Sequence, residues 1–396
     1  MYQQWRNQIM SEINNDFIPF AKPLISEEEE QAVLRIMRSG WLTTGSETLA
    51  FEKEFSSFVS APFAFAVNSA TSGLHLALEA AGVGQGDTVI TSPYTFASTA
   101  AVVHHLGAKV VFCDTEVESF NIDPQKLAEI LKTTKHCKAV IPVHVGGLPC
   151  KMNEIVSLAH QYGCTVIEDA AHAFPVTYNG KYIGTIGDIG VYSFYATKTI
   201  TTGEGGMVVT ASEKIAKRIK TMRLHGIDRD VWNRYTSKGA TWYYEVLDAG
   251  FKYNLPDILS AIGRVQLKKA NDFKTQRTAI AEAYNSAFSA IKGCLLPPGN
   301  SAEDHAWHLY SLRILHEAKL SRDELIEALT NAGIGTSVHF IPLHLMPFYA
   351  KTYHYKPDDF PNAVKHFNSV VSLPIWHGMN NNQVHRIIET IQTLLQ

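Results

Sequence analysis

A chain of 396 residues, 45% hydrophobic and 18% charged, is long enough for two domains and a sizeable core. Its net charge of −3 argues against a nucleic-acid or membrane-surface binder, and no apolar run reaches the roughly 18 residues of a membrane span. The start, Met1-Tyr-Gln-Gln-Trp-Arg6, lacks the apolar stretch of a secretory signal, and the five scattered cysteines (Cys113, Cys137, Cys150, Cys164, Cys294) form no CxxC pair, so a cytoplasmic protein without disulfides is expected.

Residues 1–25 read as an irregular arm. Ser26 followed by four acids predicts a capped helix with Val33, Ile36 and Met37 on one face, ending near Gly40. The loop Gly40-Trp-Leu-Thr-Thr-Gly45 leads to a second helix from about Ser46. From Phe63 onward, apolar strand candidates recur: Phe63–Val67, Thr88–Thr91, Lys109–Cys113, Lys138–Pro142, Cys164–Glu168, Ile189–Phe194 and Gly206–Thr210. Helical patterns at Ser72–Ala81, Ala97–His105, Asp123–Leu131 and Met152–Tyr162 separate most of them. Continuous Val/Ile/Phe runs mark strands covered on both faces, and strand–helix alternation predicts a seven-stranded, mostly parallel α/β sheet. The last two runs are joined without a helix, so Gly206–Thr210 is expected to run antiparallel.

A helix from Glu213 to Leu224 follows, then His225-Gly-Ile-Asp-Arg-Asp230 and an irregular aromatic stretch with Trp232, Tyr235, Trp242, Tyr243 and Tyr244. Asn254-Leu-Pro-Asp257 precedes a long helix from about Ile258, with Leu259, Ile262, Val265 and Leu267 as its apolar positions. The remaining pieces, Trp307–Ile314, Ser321–Ala332, Ser337–Ile341 and Asn382–Leu395, mix strand and helix patterns. This divides the chain into an arm plus large domain, residues 1–255, and a smaller C-terminal α+β domain, residues 256–396.

Four stretches carry polar chemistry at strand ends, where such sheets bind ligands. Val67-Asn-Ser-Ala-Thr-Ser-Gly-Leu74 joins a strand to a helix N-terminus, an anion site or simply a capped helix. Val166-Ile-Glu-Asp-Ala-Ala-His172 places Asp169 just past an apolar strand, as a buried acid that needs a partner or as a cap. Pro93-Tyr-Thr-Phe-Ala-Ser98 places Phe96 where it could cover a flat ring or join the core. Ser193-Phe-Tyr-Ala-Thr-Lys198, followed by Gly203-Glu-Gly-Gly206, holds a lysine between two buried strands. Burial disfavours the charged form of such a lysine and makes it a nucleophile fit for a Schiff base.

One ligand satisfies all four. Pyridoxal 5'-phosphate has a phosphate for the helix after Asn68 and Ser193, a ring nitrogen for Asp169, a flat face for Phe96 and an aldehyde for Lys198. An acid within about 4–6 Å keeps the ring nitrogen protonated, which makes the ring an electron sink. No metal is expected.

These motifs, with Gly40–Gly45, Glu168-Asp-Ala-Ala-His-Ala173 and Tyr253-Asn-Leu-Pro-Asp257, resemble over nearly the full length the nucleotide-sugar aminotransferases of the DegT/StrS group. The resemblance implies the aspartate-aminotransferase-like fold (type I), with Lys198 as the Schiff-base lysine, Asp169 as the ring-nitrogen partner and Phe96 as the stacking residue. It also implies phosphate binding by the backbone of Ala70 and Thr71 with Ser193, and a hydrogen bond from His172 near the ring hydroxyl, where many members have Gln. It implies a homodimer with shared sites, in which Asn254 reaches the partner's cofactor phosphate. Thr43, Thr44, Arg229 and His339 match positions near the sugar or diphosphate, though each is equally readable as a solvated or capping residue. The implied reaction moves an amino group from L-glutamate to a 4-keto nucleotide sugar, with UDP favoured and dTDP or GDP left open, as in the making of 4-amino-4-deoxy-L-arabinose or 4-amino-4,6-dideoxy-hexoses. Amination at carbon 3, or a sugar dehydratase or other type I enzyme, is the alternative; relatives that act as dehydratases replace the lysine with histidine. A non-catalytic cofactor-binding scaffold would have little reason to keep Lys198, Asp169 and the phosphate loop together.

Overall fold

The computed structural model describes residues 17–228, 243–299 and 305–396. Arg229, Trp232, Tyr235 and Trp242 lie outside them, as do the first 16 residues of the expected arm.

The N-terminal part opens with two helices, α1 (Glu27–Ser39) and α2 (Ser46–Val59). Ser26 and Glu29 form a reciprocal capping box at the start of α1. The buried face of α1 is Glu29, Ala32 and Ile36; Met37, expected inside, is 58% exposed, and Val33 is half-buried. Glu29 takes the inner place because Ser26, Gln266 and Lys269 satisfy its carboxylate there.

The sheet then builds in alternation: β1 (Phe63–Val67), α3 (Ala70–Ala80), β2 (Thr88–Thr91), α4 (Ala97–His105), β3 (Lys109–Phe112), α5 (Pro124–Thr133), β4 (Cys137–Ile141), α6 (Met152–Gln161) and β5 (Thr165–Asp169). A small hairpin, β6 (Thr177–Tyr178) and β7 (Lys181–Tyr182), precedes β8 (Ile189–Ser193) and β9 (Gly206–Thr210). The seven long strands lie in the order β1-β9-β8-β5-β4-β2-β3. Only β9 is reversed, pairing antiparallel with β1 and β8, as its helix-free connection requires. Apolar clusters pack both faces, which is why these strands read as unbroken Val/Ile/Phe runs. Gly73 lets α3 lie close on the sheet, since a Cβ there would meet Val191 Cγ1 at 2.7 Å.

Helix α7 (Glu213–Met222) ends the large domain's alternation, and α8 (Asp257–Phe288) runs for 32 residues across to the C-terminal part. In its first half the buried positions are Asp257, Ser260, Ala261, Gly263, Gln266, Leu267 and Ala270, while Leu259, Ile262 and Val265 are only half-buried. The C-terminal part has a three-stranded sheet of β10 (Cys294–Leu295), β11 (Tyr310–Ile314) and β12 (Val370–Leu373). Around it lie α9 (Arg322–Asn331), α10 (Pro347–Tyr353), α11 (Pro361–Ser369) and α12 (Asn381–Leu395).

Two of the mixed strand and helix pieces depart from regular strands in that part. The run from Trp307 enters the sheet only at Tyr310, because residues 306–309 bond to a different loop: Ala306 N–H donates to Gly147 O at 3.0 Å and Leu309 N–H to Gly146 O at 3.1 Å. Gly147, at φ 101°, makes that approach possible, since a Cβ would stand 2.8 Å from both Ala306 Cβ and His172 O. Ser337–Ile341 forms no strand, only a single bridge from Ser337 to Ser372. Large-domain and side-chain groups hold it instead: Tyr94 donates its hydroxyl to His339 O at 2.7 Å, and His339 Nδ1 lies 3.0 Å from Ser372 Oγ.

Candidate active site

A cavity of about 430 Å³ lies at the carboxyl ends of the central strands, beneath the segments that carry His308 and His339. Eight residues expected to act together line it: Ala70, Thr71, Phe96, Asp169, His172, Ser193, Lys198 and His339. Thr43, Thr44 and Asn254 do not. Asn254 Nδ2 donates to Thr44 Oγ1 at 2.6 Å, and Thr44 in turn donates to Leu255 O at 2.6 Å, so these residues form their own cluster beside the end of β1. Arg229 lies outside the described residues.

Each wall of the cavity follows from local chemistry. Ser69 caps α3 by accepting the Ser72 N–H at 3.1 Å, which leaves the N–H groups of Ala70 and Thr71 at the open first turn without intrahelical acceptors. That turn, with the positive end of the helix dipole, is built for an anion. Ser193 ends β8 beside it, paired in register with Gly206. Phe96, at the start of α4, is 62% exposed and presents its ring toward the cavity, 6.5 Å from the ring of Phe340.

Asp169 ends β5, is buried, and is fixed by Thr99, whose hydroxyl donates to Oδ2 at 2.9 Å, and by the Ala171 N–H at 3.2 Å from Oδ1. Burial pushes its pKa above the usual carboxylate value, against those two bonds and the attraction of Lys198. Lys198 is half-buried at the cavity wall, and burial pushes its ammonium down to about 8 against the pull of Asp169, with Arg277 adding to the fall. In both groups desolvation outweighs their mutual attraction. Lys198 Nζ lies 3.4 Å from His308 Nε2. The rings of His308 and His172 are 4.3 Å apart, and His172 Nδ1 accepts the Gly146 N–H at 3.2 Å. Burial, then the charge of Lys198, holds both imidazoles neutral far below their usual range, and takes His339 down to about 4.

His308, Phe20, Tyr195 and Phe340 also line the cavity, with no role expected from the sequence. His308 sat inside an apparent strand, where one polar residue among apolar neighbours was the available signal. Glu168, beside Asp169, has a structural role. Its carboxylate faces away from Asp169 and accepts the N–H groups of Gly184, Ile186 and Gly187 at 2.6–2.9 Å, with His144 Nε2 at 3.2 Å, so it is a satisfied structural acid.

A lysine with a lowered pKa, a buried acid and an open helix N-terminus around one cavity fit pyridoxal phosphate at its three polar ends. The DegT/DnrJ/EryC1/StrS aminotransferase family matches residues 23–392, and the chain belongs to it. It is 46% identical over 389 residues to the spore coat polysaccharide biosynthesis protein SpsC of Bacillus subtilis, covering 98% of this chain and 99% of that one. Among solved structures, the pyridoxal phosphate form of Spr1654 of Streptococcus pneumoniae, assigned as a sugar aminotransferase, superposes with a TM-score of 0.87 at 29% identity, over 96% and 98% of the two chains. Helicobacter pylori PseC, an aminotransferase of pseudoaminic acid biosynthesis, gives 0.87 at 27% identity, over 96% and 99%. The chain is therefore a pyridoxal-phosphate-dependent sugar aminotransferase with the type I fold. Among the described residues no helix is long and apolar enough to cross a membrane.

Proposed function

We propose that this enzyme moves the amino group of L-glutamate to the 4-keto carbon of a UDP-linked sugar, in surface-polysaccharide or related amino-sugar synthesis. The observation that carries this reading is the placing of Lys198 and Asp169 on one cavity with the open turn of α3. The names of SpsC, of spore coat polysaccharide biosynthesis, and of the sugar aminotransferase Spr1654 support a sugar acceptor.

In this reading each residue has one task. The N–H groups of Ala70 and Thr71 and the Ser193 hydroxyl bind the phosphate. Asp169 holds a proton at the ring nitrogen, and Thr99 keeps its carboxylate aimed. Phe96 covers one face of the ring and His172 hydrogen-bonds near its hydroxyl. The cofactor supplies an aldehyde and an electron-withdrawing ring. Lys198 holds the cofactor at rest and, once free, carries the proton to and from the substrate carbon that loses or gains nitrogen. His339, Thr43, Thr44 and Arg229 are the residues we assign to the sugar nucleotide, Thr43 and Thr44 from outside the cavity of their own chain.

A homodimer completes the site, with Asn254 reaching the partner's phosphate. The exposed apolar side chains Leu42 (48%) and Leu49 (42%) flank the Thr43–Thr44 loop that holds Asn254 and suit a covered surface. The domains divide at residues 255 and 256.

The test is a spectral titration. L-Glutamate should discharge the visible band of the bound cofactor, and a UDP-4-ketosugar should restore it. Restoration by dTDP or GDP sugars alone, or by a 3-keto sugar, would contradict the substrate assignment. No response to glutamate would contradict the donor.

A further inference from the structure

Lys198 has a neighbour that the roles above do not use. His308 is buried, and its Nε2 is 3.4 Å from the lysine amine. Its other nitrogen, Nδ1, is buried with no hydrogen-bond partner among the described residues. An orphaned buried N–H is rarer, hence costlier, than an under-used acceptor, so the ring proton belongs on Nε2, facing Nζ. The backbone around His308 is pinned from behind. Arg277, fully buried on α8, donates from Nη1 to the carbonyl oxygens of Trp307 (3.2 Å), His308 (3.4 Å) and Ile375 (2.8 Å). The clamp grips the segment that leads into β11 and bonds to Gly146 and Gly147.

We propose that His308 is a catalytic residue whose Nε2–H donates to the Lys198 amine and holds it as a free base whenever the lysine is not bonded to the cofactor, with Arg277 as the residue that positions it. This rests on the reading of Lys198 as the cofactor lysine. A lysine that moves protons must be uncharged when it is released, and a donor aimed at its lone pair favours that form. At 3.4 Å the contact is long enough to exchange for the substrate without trapping the amine. The other groups that bear on the amine are Asp169, which favours its charged form, Arg277, which opposes it, and the neutral rings of His172 and His339.

Trace labelling of the full-length, cofactor-free protein with acetic anhydride reads Lys198 directly as a function of pH. The wild-type midpoint should lie near 8. His308→Leu keeps water out but removes the donor, and should move the midpoint up by about 0.5–1 pH unit, the equivalent of one ordinary hydrogen bond. His308→Gln, with an amide nitrogen in place of Nε2, should restore most of the shift. A His308 that merely filled space would lower stability and leave the midpoint in place, and an unchanged or lowered midpoint in His308→Leu overturns the proposal. Should His308→Leu fail to fold, long-range ¹⁵N spectra of histidine-labelled wild-type protein decide it: a proton on Nε2 supports the proposal, and one on Nδ1 overturns it. If the cofactor proves to be attached to another lysine, the functional reading fails, but this midpoint still reports the His308 contact.

Discussion

The Thr99 hydroxyl donates to Asp169 Oδ2 at 2.9 Å, so a residue of α4 fixes the acid that ends β5. Losing that bond should raise the carboxyl pKa further, because the bond is the strongest influence that lowers it. Thr99→Val should therefore cut turnover about 10- to 100-fold, the worth of a hydrogen bond to a charged group, and move the acid limb of the activity profile to higher pH. Asp169→Ala should keep the fold and lose orders of magnitude in turnover. Steady-state rates across pH check both; near-normal rates in Asp169→Ala contradict the ring-nitrogen role.

Asp257 ties the start of α8 to the start of α2. Its carboxylate accepts the N–H groups of Gly45 (2.7 Å), Glu47 (3.2 Å) and Thr48 (3.0 Å) and the Thr48 hydroxyl (2.7 Å), all out of water. Asp257→Ala should destabilise the protein by about 2–4 kcal/mol, combining a lost cap with stranded donors. Thr48→Val should cost about 1 kcal/mol. Thermal unfolding of the two variants gives the comparison.

Glu29 predicts a pH-dependent contribution. Burial works most strongly against its ionisation, but bonds from Ser26, Lys269 and Gln266 together outweigh it and bring the pKa down to about 2. A depressed carboxylate stabilises the fold above its ordinary value and loses that contribution as the pH falls toward the folded one. Glu29→Gln should be less stable than wild type at pH 7, and the gap should close between about pH 4.5 and 2. Unfolding midpoints of the two proteins across that range measure it.

Asn254 lies outside its own chain's cavity, so its proposed reach to a partner's cofactor phosphate predicts that the active species is at least a dimer. Sedimentation of the active enzyme should show it, and full activity in a monomer would remove the cross-subunit role. Asn254→Ala should weaken retention of the cofactor while leaving its attachment lysine unchanged.

The central sheet was legible because strands buried on both faces write themselves as continuous apolar runs: Phe63–Val67, Thr88–Thr91 and Gly206–Thr210 fall where expected. The residues on the cavity were legible where they sit at the ends of those strands. What pairing across long sequence distances decides was not. Asp257 meets Gly45 across 212 residues, and nothing local marks it as the cap of α2. His308 was hidden because its neighbours follow a strand pattern that the Gly146–Gly147 loop interrupts. Met37 was misplaced because an acid, Glu29, holds the inner face through partners on a helix more than 200 residues away.

Borohydride reduction of the loaded enzyme followed by peptide mapping probes the assignment of Lys198, since it fixes the cofactor to whichever lysine holds it. That assignment puts the modification on Lys198 alone, with no visible cofactor band and no modified peptide in Lys198→Ala. Modification of a different lysine, or an unchanged band in that variant, would contradict it.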